Sequence, residues 1–147
     1  MNSNEQPIRR IAAIAIALVG VIHLVLAPEQ LKTETYVGVL FIVGGLAALY
    51  VAVRLWMAPD RRAWTLGAAV AACMFVGFIL SRTTGLPGFK EPEWELSGIV
   101  SLILEAGFIG AFLATRRAQP VAALGRRNSP ARATTRMQRG SPASLRR

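Results

Sequence analysis

Four long apolar segments constrain the fold of this chain more than any other feature. The segments contain 17 to 19 residues each, and within them only His23 and Glu105 ionise near neutral pH. At a rise of 1.5 Å per residue each helix would be roughly 26–28 Å long, close to the thickness of a bilayer's hydrocarbon core. We therefore predict an all-α membrane fold, a four-helix transmembrane bundle with spans at about 11–27, 36–53, 63–80 and 96–114.

Composition divides the chain into a leader at 1–10, a transmembrane domain at 11–115 and a tail at 116–147. The tail holds nine arginines and no acidic or aromatic residue, and the net charge of +9 comes from it. Such a stretch buries too little apolar surface to offset the entropy of ordering. We expect a disordered, basic cytoplasmic tail.

Basic residues also predict the orientation of the bundle. Of the 17 lysines and arginines, 14 lie in the leader, the second connection and the tail, and the remaining three are Lys32, Arg82 and Lys90. Cytoplasmic segments collect lysine and arginine. We therefore expect both termini in the cytoplasm and a multi-pass location in the plasma membrane.

The expected partners follow from the spans and the tail. The spans contact the lipid bilayer, and anionic headgroups would attract the tail by about 1 kcal/mol for each basic residue near the surface. Nucleic acid is not expected as a partner, because the tail offers no aromatic side chain on which bases could stack. Other membrane proteins, or a second copy of the chain, are further candidates.

Small residues recur every four positions along each span and indicate where helices approach closely. The simpler interpretation is packing within one chain, and the alternative is a homodimer through the stripe that begins at Gly44. Cys73, the single cysteine, is interpreted as a small packing residue. The stripes are Ala13 and Ala17; Gly44, Ala48 and Ala52; Ala68 and Ala72; and Ala106 and Gly110.

Glu105 lies at the centre of the fourth span. A carboxylate at the bilayer midplane costs at least ~2.5–3.5 kcal/mol, so the side chain should face the bundle interior and be protonated for much of the time. Ser97 and Ser101 precede it by two turns and one turn, so the three side chains share one helical face. They predict either a carboxyl that handles protons or cations, or a buried acid that bonds a neighbouring helix.

His23 lies near the end of the first span. One imidazole does not make a metal site, and haem with two histidine ligands would need a dimer. We predict no metal site and no cofactor, and interpret His23 as a hydrogen-bonding residue between helices. A link to Glu105, through Ser101 or a water, is geometrically possible.

The connection after the third span contains Ser81-Arg82-Thr83-Thr84-Gly85-Leu86-Pro87-Gly88. Gly85 and Gly88 around Leu86-Pro87 predict a sharp turn over the mouth of the bundle. Arg82 could extend to headgroups or pair with Glu29, Glu34 or Glu95. An ordered cap is favoured over an anion-binding loop.

Several of these residues together resemble a group of small four-span integral membrane proteins of the kind found in actinobacterial genomes. The resemblance covers about residues 8–115 and implies a four-helix membrane fold without a particular activity. A likeness to four-span redox-associated proteins of the DoxX type is limited to the number of spans. The resemblance is carried by the segment HLVLAPE at 23–29, by Gly38 and Phe41, by SRTTGLP at 81–87 and by Glu105.

Three functions remain open from the sequence. The first is a non-enzymatic structural or regulatory component of a larger membrane assembly. The second is a proton- or ion-coupled transport component, in which Glu105, Ser101, Ser97 and His23 form a half-channel. The third is a membrane redox or haem protein that uses His23.

Overall fold

The computed structural model describes residues 5–127, with side chains described for residues 6–117. This part of the chain contains four helices and no strand. The helices are α1 (Glu5–Thr33), α2 (Thr35–Met57), α3 (Arg61–Arg82) and α4 (Leu96–Arg127).

All four helices are long and apolar enough to cross a membrane. The predicted all-α, four-helix membrane fold is therefore confirmed, and the chain is a small multi-pass integral membrane protein. The 29 residues of α1 correspond to roughly 43 Å, so its ends extend beyond the hydrocarbon core. The orientation of the termini and the identity of the membrane stay predictions.

The ends of α1 differ from the sequence-based expectation. The helix begins at Glu5, inside the predicted leader, and continues through Pro28 to Thr33. The connection expected at residues 28–35 is thereby reduced to Glu34, the residue before α2. Proline removes one backbone donor, but helix propagation by the residues after it outweighs that loss here.

Helices α1 and α2 pack closely through a seam formed by Gly20, Leu24, Gly45 and Leu49. A Cβ atom placed on Gly20 would lie 2.9 Å from the carbonyl oxygen of Gly45, and one on Gly45 would lie 2.8 Å from Leu24 Cγ. The missing side chains let the two backbones approach to contact distance. In a membrane such packing drives helix association, because lipid is as apolar as leucine.

Helices α3 and α4 join this pair mainly through large side chains. Phe108 of α4 is fully buried, and its ring lies over Gly67 and 5.4 Å from the ring centroid of Trp64. The ring of Phe78 on α3 covers Gly98 of α4 in the same way. Each of these two phenylalanine rings therefore packs on a glycine of the other helix, between α3 and α4.

The predicted small-residue stripes have different surroundings. Ala13, Ala48 and Ala52 are buried, in agreement with packing within one chain. Ala106 and Gly110 are instead exposed, and nothing lies within 4 Å of a Cβ placed on Gly110. The prediction of packing within the chain is therefore wrong for the α4 stripe. The face of α4 that points into the bundle is the one that carries Phe108, and Ala106 and Gly110 lie outside it.

The end of the bundle where α2 connects to α3, called the Asp60 end below, is fixed by charged side chains. The Asp60 carboxylate accepts hydrogen bonds from the backbone N–H groups of Arg62 at 2.8 Å and Ala63 at 3.4 Å, and it pairs with Arg54. Asp60 is therefore the N-cap residue of α3. The Arg9 guanidinium donates to the carbonyl oxygens of Leu55 and Trp56, where α2 ends and its last carbonyls lack intrahelical partners.

The opposite end, called the 83–95 end, carries the connection between α3 and α4. Leu86 and Phe89 exchange two backbone hydrogen bonds across Pro87 and Gly88, and φ of Gly88 is +72°. Proline followed by a glycine with positive φ is the pattern of a type II turn. The Tyr36 hydroxyl donates to the Pro87 carbonyl oxygen at 2.7 Å, so the predicted turn is confirmed as an ordered cap.

Helix α4 is longer than the fourth predicted span. It continues to Arg127, so the first residues of the predicted disordered tail, 116–127, are helical. Alanine, arginine, glutamine and leucine dominate this stretch, and all have high helix propensity. The remaining tail, 128–147, lies outside the described residues.

Candidate functional site: a polar-ended cavity in the bundle

Helix α4 places Ser97, Ser101 and Glu105 on one face, as their spacing predicts. All three side chains line one cavity, and Ser101 and Glu105 are 4% and 2% exposed. A polar stripe thus runs along α4 from the 83–95 end toward the middle of the membrane-spanning region.

The two oxygens of the Glu105 carboxyl have different surroundings. Ser101 donates its hydroxyl to Oε1 at 2.8 Å, whereas Oε2 is buried without a hydrogen-bond partner among the described residues. Buried polar atoms are nearly always bonded, so an unpartnered oxygen needs an explanation. Oε2 is chemically free to hold a proton or to contact a bound molecule.

The cavity that holds this carboxyl has a volume of about 470 Å³. Residues of all four helices and of the connection between α3 and α4 line it, and most of them are apolar. Of the six residues predicted as candidate site residues, five line the cavity: His23, Ser97, Ser101, Glu105 and Arg82. The sixth, Glu29, is exposed and lies outside the lining.

His23 lies in the α1 wall of the cavity. Its Nδ1 is 3.0 Å from the carbonyl oxygen of Val19 in the same helix, and its ring centroid is 4.8 Å from that of Phe41. Within the described part of the chain, His23 and Glu105 share the cavity without a hydrogen bond between them. No group of three or more histidine, cysteine, aspartate or glutamate side chains in that part is arranged to hold a metal ion.

Arg82 ends α3 at the mouth of the cavity. Its Nη1 donates to Ser81 Oγ at 2.9 Å, and its guanidinium carbon lies 4.2 Å from the centre of the Phe78 ring. Glu91 and Glu95 attract the guanidinium electrostatically. Of the predicted acidic partners, Glu95 is thus close enough to attract Arg82, but the close contacts of the guanidinium are with Ser81 and Phe78. Its Nε is buried and has no hydrogen-bond partner within the described part of the chain.

Sequence reasoning missed Gln30 and Glu91, which also line the cavity. The Gln30 oxygen Oε1 is buried without a partner among the residues described. The signal for Gln30 was available in the sequence, because His23, Leu26 and Gln30 lie on one face of any helix that continues through Pro28. Taking Pro28 as the end of the span concealed it.

No protein-family model, no curated protein and no solved structure matches this chain. The functional argument therefore depends on the geometry of the cavity.

Proposed function

We propose that this membrane protein is a proton- or cation-coupled transport component in which Glu105 is the coupling carboxyl. The observation that carries the proposal is the Glu105 side chain, which lines the cavity and whose buried Oε2 has no hydrogen-bond partner among the described residues. The structural or regulatory role in a membrane assembly stays a prediction, as does the resemblance to the actinobacterial four-span proteins. The haem alternative has less support, because the chain has one histidine and a haem with two histidine ligands would need a second copy of the chain.

Keeping the Glu105 carboxyl near the bilayer centre has an energetic cost. A charged carboxylate near the bilayer centre costs at least ~2.5–3.5 kcal/mol, and such residues typically mark ion pathways or proton relays. An acid that only joined two helices would be expected to bond a neighbouring helix. Glu105 instead bonds Ser101 of its own helix, and its Oε2 has no hydrogen-bond partner among the described residues.

The polar stripe on α4 supplies a route from this carboxyl to water. Ser101 bonds Glu105, and one turn further on, the Ser97 hydroxyl donates to Glu95 Oε2 at 3.4 Å. One helical turn is about 5.4 Å, a gap that a single water can bridge. Protons could therefore pass between Glu105 and the 83–95 end through hydroxyl groups and water.

The proposal is tested by proton flux in liposomes that contain the purified protein and a trapped pH-sensitive dye, driven by a potassium diffusion potential. We expect flux with the wild type and its loss in Glu105→Gln, which keeps the shape of a neutral acid. Glu29→Gln is the matched control, since it removes an exposed carboxyl outside the cavity. Equal flux in wild type and Glu105→Gln, or no flux in the wild type with or without a gradient of a transported cation, would refute the coupling role.

A further inference from the structure

We infer that the cavity binds a lipophilic organic cation, which replaces the proton on Glu105. This inference rests on the proposed function and names its substrate class. Three features of the cavity support it: the charges around the cavity, the chemistry of its walls and the way it opens.

The charges around the cavity favour a positive ligand. Its ionisable lining consists of the carboxyl groups of Glu91, Glu95 and Glu105, the Arg82 guanidinium, the His23 imidazole and the Cys73 thiol, and α2 contributes none. With Glu105 protonated in the empty cavity, the carboxylates of Glu91 and Glu95 still outnumber the one permanent cation, Arg82, two to one. An excess of one sign in an apolar cleft concentrates ions of the opposite sign.

The walls indicate that the cation is organic and apolar rather than a metal ion. A Ca²⁺ ion takes about 6–8 oxygen ligands, whereas the deep wall presents the oxygens of Glu105 and Ser101 among apolar side chains. The volume of about 470 Å³ lies within the range of small-molecule sites.

Aromatic rings in the lining add a further attraction for a cation. The rings of Phe41, Phe78 and Phe89 line the cavity, and aromatic faces attract cations. The guanidinium of Arg82 already lies on one of them, 4.2 Å from the Phe78 centroid.

The cavity also has an edge that an amphipathic molecule can reach from the membrane. Leu40 and Val43 of α2, which are 59% and 60% exposed, and the exposed Cys73 of α3 belong to its lining. The interpretation of Cys73 as a packing residue is therefore wrong. Its thiol is a natural reporter, because a molecule bound in the cavity would shield it from alkylation.

Proton exchange gives the binding a defined pH dependence. A cation that pairs with the Glu105 carboxylate expels one proton, so its affinity rises up to about tenfold for each pH unit while the empty carboxyl is protonated. Glu91, Glu95, Arg82 and His23 face the same cavity. Imidazole is in general the side chain whose charge changes nearest neutral pH, so the variants below must separate His23 from Glu105.

The test uses tetraphenylphosphonium as the probe and isothermal titration calorimetry of the full-length protein in detergent, at a series of pH values. Two buffers with different ionisation enthalpies give the number of protons released. We expect binding by the wild type, release of about one proton per cation, and an affinity that increases with pH. Alkylation of Cys73 by N-ethylmaleimide should slow at least severalfold when the cation is bound.

Variants then identify the exchanging group. Glu105→Gln should abolish proton release and weaken binding at least tenfold, whereas His23→Gln and the exposed control Glu29→Gln should retain release. Glu105→Asp, which keeps an acid, should retain release even if Glu105→Gln folds poorly. Tetraphenylborate, an anion of the same shape, should bind the wild type and Glu105→Gln equally weakly.

Three results would overturn the inference: no tetraphenylphosphonium binding, binding that Glu105→Gln leaves unchanged, or proton release that disappears in His23→Gln. Proton flux without cation binding would remove the inference and leave the proposed function standing. Cation binding with proton release, but no flux of protons in liposomes, would instead remove the transport role and leave a binding site.

Discussion

The seam between α1 and α2 and the cavity beside α4 are built in opposite ways. In the seam, glycines bring two backbones to contact distance, and Leu24 and Leu49 fill the remaining space. Beside α4, the Phe78 ring covers Gly98, and a cavity of about 470 Å³ remains, with both residues in its lining. The comparison indicates that close packing holds α1 and α2 together, whereas the cavity keeps space and unpartnered polar atoms for a ligand.

The strongest test of the seam is Gly45→Ala. The added Cβ would meet Leu24 Cγ at 2.8 Å and the Gly20 carbonyl oxygen at 3.0 Å, so the helices must separate. We expect a loss of ~1–3 kcal/mol in the free energy of unfolding. Denaturation by sodium dodecyl sulfate in mixed micelles would measure it.

The matched control for this substitution is Gly110→Ala on α4. Nothing lies within 4 Å of a Cβ at that position, and alanine is the better helix former. Its stability should be equal to or above that of the wild type. Similar losses in both variants would show that the seam is no more tightly packed than the surface of α4.

Substitution of Glu105 in the cavity should have the opposite effect: it should abolish function and leave the free energy of unfolding nearly unchanged. In Glu105→Leu a buried carboxyl with one unpartnered oxygen is replaced by an apolar side chain, and the freed Ser101 hydroxyl can bond a carbonyl one turn earlier in its own helix. We expect stability to change by less than ~1 kcal/mol. A loss of several kcal/mol by the same denaturation assay would mean that Glu105 serves mainly to hold helices together.

A substitution at Asp60 should have the smallest effect on stability, and that effect should depend on pH. The hydrogen bond from Arg62 N–H, followed by those from Ala63 N–H and Arg54, holds the pKa of Asp60 below its ordinary value. Because the folded-state pKa is lowered, the stabilisation is present above the ordinary pKa of aspartate and is lost as the pH falls through the folded-state value.

Asp60→Asn keeps a capping oxygen but removes this titration. The wild type should therefore lose its small stability advantage over Asp60→Asn between about pH 5 and pH 3, as followed by melting temperature. An advantage that is constant across this interval would show that the Asp60 charge contributes nothing to the turn.

Much of this architecture was predictable because lipid imposes simple rules. Four apolar segments of bilayer length predicted four helices, and an acid inside one of them identified Glu105. Gly85 and Gly88 around Leu86-Pro87 predicted a turn. In each case a local pattern was sufficient.

The cavity itself was not predictable, because it depends on the distance between helices. That distance depends on which glycine each phenylalanine covers, and Phe108 and Phe78 reach Gly67 and Gly98 only in the folded bundle. The role of Gln30 depended on whether α1 continued through Pro28. A proline by itself favours a helix end, whereas α1 continues through Pro28 to Thr33.

The most direct test of the account is infrared titration of the Glu105 carboxyl, with Glu105→Gln subtracted to isolate its signal. We predict a protonated carboxyl band in the empty wild-type protein at pH 5 and conversion of that band to carboxylate when tetraphenylphosphonium is added at constant pH. A carboxylate signal for Glu105 already present at pH 5 in the empty protein would contradict the account, as would a protonated band that persists when the cation is bound.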